Sequence, residues 1–238
     1  MADTRPPLRH TAQRIAYAIA LFMLGSVLLV FVLRWLPPLT SGVMIERRLE
    51  SFFSPTDYTR RYDWVPLAQI SPTIGVAVIA AEDQLFAEHF GFDWKAIEKA
   101  IAYNQKHKKT RGASTISQQT AKNLFLWSGR NWLRKGMETW FTILIETLWS
   151  KERILEVYLN IVEFGDGVYG VEAAAQFYFH KPASKLNASE AALLAAVLPN
   201  PRVYQVNKPS SYIRGRQQWI LLNMRHLGGK HYLDTLGE

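Results

Sequence analysis

Apolar residues fall along this chain in two ways: one unbroken block near the N-terminus, then a succession of helix-period stripes separated by Gly, Pro and short polar breaks. The block, IAYAIALFMLGSVLLVFVL from Ile15 to Leu33, runs about 19 residues without a charge, ~28 Å as a helix, which matches the hydrocarbon thickness of a bilayer. A cleavable signal peptide has a shorter apolar core and a small-residue cleavage site close behind it. Here Arg34, Trp35 and Pro37-Pro38 follow instead, so the block reads as an uncleaved signal anchor. Arg5, Arg9 and Arg14 precede it, which predicts a cytoplasmic N-terminus and a main domain on the far side. Arg34, Arg47 and Arg48 make that asymmetry modest. The competing reading, a buried hairpin helix of a soluble protein, fits the length and flanks less well.

Beyond the anchor the pattern is mainly α. Residues 37 to 72 read as a connector with scattered aromatics and prolines. Ser71-Pro72 resembles an N-cap with Pro at the first helical position, and Ile70, Ile74, Ala77, Val78 and Ala81 recur at helical spacing. The short apolar run GVAVIAA within this segment is the one serious strand candidate. Asp93 can cap a helix carrying Ile97, Ala100 and Ile101 on one face, and the basic QKHKKTR stretch follows as a loop. Thr115 with Gln118 fits a capping box opening a helix over 115 to 126. Further helices are expected near 130 to 148, 151 to 160, 170 to 178, 189 to 198 and 212 to 227, the last stopped by Gly228-Gly229.

With 48% apolar residues in 238, the chain can build a core, and the region after the anchor has the size of one domain. The absence of Cys removes disulfides, thiolate metal sites and thiol nucleophiles, and leaves the redox compartment undecided. The net charge is +8, concentrated at Lys95, Lys99, Lys106, Lys108, Lys109 and Arg111. This is either a solvated basic loop or a surface attracted to anionic headgroups and phosphates. Nucleic acid is disfavoured because the anchor places this surface outside the cytoplasm.

Chemistry concentrates in three segments. Glu82 and Asp83 sit between IGVAVIAA and LFAEHFG, where an apolar surround raises a carboxylate's pKa and suits a general acid or base; an exposed helix-end pair is the plainer alternative. His89 lacks a matched second His, so an orienting role is expected over metal binding. In GASTISQQTAKN, Ser114, Gln118 and Lys122 are spaced i, i+4, i+8, with Gln119 close by, and the helix start at Ser114 and Thr115 offers N–H donors to an anion. Arg134, Lys135 and Glu138 fall within one turn, either as a simple ion pair or as a second functional carboxylate beside two phosphate-holding cations. Trp127, Trp132, Trp140 and Trp149 are core by default, although Trp also favours a membrane interface. KERILEVYLNIVEFGDGVYG reads as scaffold, and nothing in its spacing brings Tyr158 or Asn160 to a site.

Together, EDQLFAEHFG, GASTISQQTAKNL, RKGMETW with ILIE, and KERILEVYLNIVEFGDGVYG resemble the successive motifs of glycosyltransferase family 51, the peptidoglycan glycosyltransferases that polymerise lipid II; SEAALLAAVLPNPRVY matches the fifth. No S-x-x-K or K-[ST]-G pattern accompanies them, so the resemblance is to the monofunctional form, an anchor plus the transferase domain. It implies a mainly α, lysozyme-like domain with a small membrane-proximal subdomain. It implies Glu82 as the base at the acceptor's 4-hydroxyl and Glu138 near the leaving pyrophosphate, a position where the family can take a divalent cation such as Mg2+ or Mn2+. Lys122, Arg134 and Lys135 match phosphate-binding positions, while Ser114, Thr115, Gln118, Gln119 and Asn123 match positions that hold the substrate. Asp83 and His89 would support Glu82. Trp140 and Phe141 within the third motif, and Arg111-Gly112-Ala113 where many relatives have two glycines, depart from the pattern without removing a catalytic group.

On this reading, residues 1–14 are a cytoplasmic N-terminus, 15–36 the anchor, 37–64 a membrane-proximal connector, 65–228 the glycosyltransferase domain and 229–238 a tail. The expected location is the bacterial inner membrane with the catalytic domain periplasmic. Expected partners are lipid II, the growing glycan strand, the bilayer, and cell wall synthesis or division proteins. Two rivals remain: a membrane-anchored muramidase or lytic transglycosylase, and a noncatalytic anchored scaffold. A hydrolase has no lipid pyrophosphate to hold, which makes Lys122, Arg134 and Lys135 the discriminating residues.

Overall fold

The computed structural model describes residues 7–53, 58–107, 112–129 and 131–237, with side chains from His10 onward. Arg5, Arg9's side chain, and Lys108, Lys109 and Arg111 of the basic stretch therefore lie outside the described residues. The chain divides into two compact units, Met1–Leu36 and Pro37–Glu238. The first is a helix, α1 (Pro7–Val32), whose segment His10–Val32 is long and apolar enough to cross a membrane.

The second unit runs α2 (Gly42–Ser51), β1 (Arg61–Tyr62), α3 (Pro72–Glu82), α4 (Trp94–Lys106), α5 (Ile116–Phe125), α6 (Trp132–Leu148), α7 (Lys151–Ile161), β2 (Glu163–Gly165), β3 (Val168–Tyr169), α8 (Val171–Phe179), α9 (Ala188–Val197) and α10 (Ser211–His226). The connector is thus more structured than its prolines suggest. Ser41 caps α2 by accepting from the Met44 N–H, and β1 joins a small sheet of order β1-β3-β2, parallel at β1/β3 and antiparallel at β2/β3.

The centre of this unit is α3, and GVAVIAA is helical, not a strand. Ile74 through Ala80 are all buried, so this helix is apolar on every side. Such a sequence is stable as a helix only when neighbours surround it. α9 and α10 supply part of that cover, and the residues beyond Gly228 the rest, as a 3-10 turn (Gly229–Gly237) folded back against α3. Gly and Ala permit the approach: a Cβ on Gly75 would already stand 3.4 Å from both Leu155 and Leu233. Asp93 caps α4 through the Ala96 N–H at 2.8 Å, and Lys95, Lys99 and Lys106 lie exposed on that helix.

Behind α5 stands α7, entirely buried from Ile154 to Ile161 apart from Glu156. Asn160 belongs to this scaffold: its amide donates to the Val65 carbonyl and accepts from the Val65 N–H, both at 2.9 Å, tying the entry strand region to the helix. The chain then turns at Gly170, where φ is +82° and an added Cβ would lie 2.4 Å from the Asn160 carbonyl oxygen, so that only glycine fits.

Candidate active site

α3 ends at Glu82, delivered to the end of a helix surrounded by apolar neighbours. Its side chain is only 15% exposed, and burial pushes its carboxyl above the ordinary Glu value. Two partners hold it, one of them backed by a third residue. Gln119 donates its amide N–H to one oxygen at 2.9 Å, Tyr158 in turn donates its hydroxyl to the Gln119 carbonyl oxygen at 3.0 Å, and Arg216 approaches the other carboxylate oxygen at 3.4 Å. Gln119 was legible as a site residue, whereas Arg216 and Tyr158 were not. They stand 134 and 76 residues from Glu82 in the chain, and no local spacing carries that information.

Asp83 points the other way. It is buried, accepts from the Ile116 N–H at 2.9 Å and pairs with His89 Nε2 at 2.8 Å, so it fastens the start of α5 to the end of α3. The capping box at Thr115 and Gln118 forms as expected, and Thr115 also donates to the Gly91 carbonyl at 2.7 Å. This corrects one expectation. Thr115 and Gln118 are buried, and the N–H groups of Thr115, Ile116 and Gln118 are already bonded to Gln118, Asp83 and Thr115, so these donors are not presented to an anion. The helix start is a structural joint, while Ser114 beside it is exposed.

One turn on, Lys122 and Asn123 are half-buried. Lys122 makes no hydrogen bond or ion pair among the described residues, and burial drives its pKa below the ordinary lysine value. It lies in the fields of Glu138, Arg134, Lys135 and Glu82, so the unpaired ammonium sits within electrostatic reach of both glutamates. On α6, Glu138 is buried with one oxygen accepting from Arg134 at 2.6 Å and the other from Lys135. Glu138 therefore orients the two cations, the simple ion-pair geometry within one helix. A third network, in which Ser117 and Lys151 both bond Glu146 and Lys151 reaches the His89 carbonyl at 2.6 Å, locks α5, α6 and the His89 loop beneath the site.

Among the described residues no all-protein cage for a divalent ion is formed. Glu138 offers one carboxylate whose oxygens are both taken by cations, and no group of three or more His, Asp or Glu side chains converges among the described residues. No step below is drawn through a metal.

A partly desolvated carboxylate with a raised pKa is a proton acceptor matched to near-neutral work, and an unpaired, half-buried cation beside two others is a receptor for a polyanion. These two features fit an enzyme that accepts a proton at Glu82 and holds an anionic group at its cations. Residues 48–225 match the model of the Transglycosylase family. The chain belongs to that family, whose domain is lysozyme-like and mainly helical. It is 59% identical over 228 residues to the biosynthetic peptidoglycan transglycosylase of Salmonella agona (strain SL483), covering 95% of this chain and 93% of that protein. The proteins of the same name from Salmonella paratyphi B (strain ATCC BAA-1250 / SPB7) and Salmonella enteritidis PT4 (strain P125109) are each 58% identical over the same shares.

Proposed function

We propose that this protein polymerises lipid II into β-1,4-linked glycan strands at the outer face of the bacterial inner membrane, with its N-terminus cytoplasmic and its catalytic domain periplasmic. The single observation that carries the reading is the pairing of Glu82, poised as a base, with the unpaired Lys122 next to Arg134 and Lys135. Glu82 takes the proton of the acceptor's 4-hydroxyl as that oxygen attacks C1 of the donor sugar. The C1–O bond to phosphate breaks with inversion, and the electron pair leaves on undecaprenyl pyrophosphate. Charge accumulates on that leaving group as the bond breaks, so fixed cations favour the transition state over the bound donor. In this reading Ser114, exposed ahead of α5, and Asn123, half-buried next to Lys122 in the chain, bond the sugar or phosphate. A muramidase would need the base but gives no role to three clustered cations.

α1 supports the membrane location, and so do the large apolar side chains left in water on the second unit, among them Phe53 at 91% and Trp132 at 92% exposure. The test is incubation of purified protein with lipid II. Glycan polymer and undecaprenyl pyrophosphate should appear together, and release of pyrophosphate lipid without polymer would overturn the synthase assignment.

Arg216 gives a separate prediction. Its charge and hydrogen bond favour the ionised form of Glu82 against burial, so Arg216→Ala raises the base's pKa further. The acid limb of kcat/KM is expected to move to higher pH, with the rate recovering above the limb. Arg216→Lys should restore part of the shift. A loss of rate that is uniform across pH would instead mean that Arg216 serves folding alone.

A further inference from the structure

After α10 the chain reverses at two glycines with positive φ, Gly228 at +87° and Gly229 at +63°, a conformation that residues with a side chain rarely adopt. The 3-10 turn that follows, Gly229–Gly237, lies beyond the residues matched by the family model, 48–225, and forms a strap across α3. Leu236 is buried, Leu233 packs where a Cβ on Gly75 would stand 3.4 Å from it, and Thr235 donates its hydroxyl to the Tyr232 carbonyl at 2.7 Å. These contacts seat the strap on the helix that ends in Glu82.

Tyr232 is the residue that the strap delivers. Its hydroxyl donates to the Gln84 carbonyl and accepts from the Ala87 N–H, each at 3.2 Å, so one group spans the turn that follows the base. Inside that turn the backbone closes Phe86 onto the Asp83 carbonyl at 3.1 Å and Glu88 onto the Leu85 carbonyl at 2.8 Å, and the Gln84 and Ala87 groups go to the tyrosine. α10 makes matching contacts earlier along the same segment. Arg216 donates to the Ala81 carbonyl at 3.3 Å as well as approaching Glu82, and Asn223, two helical turns on, accepts from the Gln84 side chain at 3.2 Å. Arg216, Asn223 and Tyr232 thus fasten Ala81, Gln84 and Ala87 in order, with Glu82 between the first two fastenings. Gln119 holds the carboxylate from α5 instead. At 3.4 Å against 2.9 Å, the Arg216 contact is the longer of the two, so a small displacement of the turn weakens it first.

We propose that Tyr232 is a positioning residue for the base: by clamping the turn after α3 it keeps the Glu82 carboxylate against Arg216, an assignment that rests on Glu82 acting as the base as described above. The tyrosine touches no reacting atom. Its effect reaches the chemistry only through the charge that Arg216 sets beside the carboxylate.

Tyr232→Phe keeps the ring and removes both bonds to the turn, and lipid II polymerisation by the full-length protein across a range of pH tests the result. The acid limb of kcat/KM is expected to move to higher pH, as for Arg216→Ala, because burial of Glu82 persists while the favourable charge is held less closely. In Tyr232→Phe combined with Arg216→Ala the limb should stay where Arg216→Ala alone puts it, since the tyrosine acts through that contact. A Tyr232→Phe limb at the wild-type position overturns the proposal, even with a lower rate at every pH, which would give the strap a role in folding alone. A double variant whose shift is the sum of the two single shifts also overturns it. Should Tyr232→Phe fail to fold, Asn223→Ala removes the neighbouring fastening at Gln84 and is read by the same two outcomes. The base reading fails separately, through wild-type polymerisation by Glu82→Gln.

Discussion

Replacing Glu82 by glutamine is expected to lower lipid II polymerisation by about 10²–10⁴-fold, the usual contribution of a positioned general base. Glutamine keeps the shape of the side chain and one acceptor oxygen, enough to accept from Gln119 or from Arg216 but not from both, while removing the proton acceptor. The fold should not suffer. Burial raises the carboxyl's pKa, so the folded state favours the protonated form. The stability associated with this group is fully present below its unfolded pKa and is lost as pH rises through the higher folded pKa. At neutral pH the ionised Glu82 is thus a burden that glutamine lifts, and the Tm of Glu82→Gln should equal or exceed that of wild type. Polymer assays and thermal melts on the same preparation check both parts. A variant polymerising at the wild-type rate would remove Glu82 as base, and a large fall in Tm would reassign it to folding.

The second large effect is at Lys122. Lys122→Met should reduce kcat by about 10²–10³-fold, the scale seen when one preorganised charge-stabilising donor is removed, with a smaller change in KM. The asymmetry follows from charge growing on the leaving pyrophosphate. Stability again runs opposite to activity. The lowered pKa means that the ammonium is disfavoured in the folded state, a penalty present below the folded pKa and relieved as pH rises through it. Met at this position should therefore hold or raise Tm at neutral pH. The same shift predicts an alkaline limb in kcat/KM below the ordinary lysine range. That limb should move upward in kcat, because bound pyrophosphate stabilises the ammonium. Equal limbs in the two profiles would show that no anion reaches Lys122.

Both predictions concern residues that stand out in the sequence, and the reason is locality. A capping box closes within three residues, Pro72 at a helix start is fixed by its own ring, and Arg134, Lys135 and Glu138 meet within one turn of α6. The helical stripes likewise need only the 3.6-residue period. The same locality left GVAVIAA open between helix and strand, and it misled at the start of α5. A short apolar run has no period to read until α9 and α10 surround it, and helix N–H groups look free until Asp83 is seen to accept one.

The sequence by itself determined the helices from α3 onward, the apolar N-terminal span, and the identities of the carboxylate and cation groups, because each depends on residues a few positions apart. Only the tertiary structure decided that Arg216 and Tyr158 stand behind the base and that Lys122 has no hydrogen bond or ion pair among the described residues. The bonds of Tyr158 to Gln119 and of Arg216 to Glu82 join residues 39 and 134 apart in the chain. What brings them together is burial of α3 and α7 from every side, a property of the assembled core that no stretch of the chain carries alone.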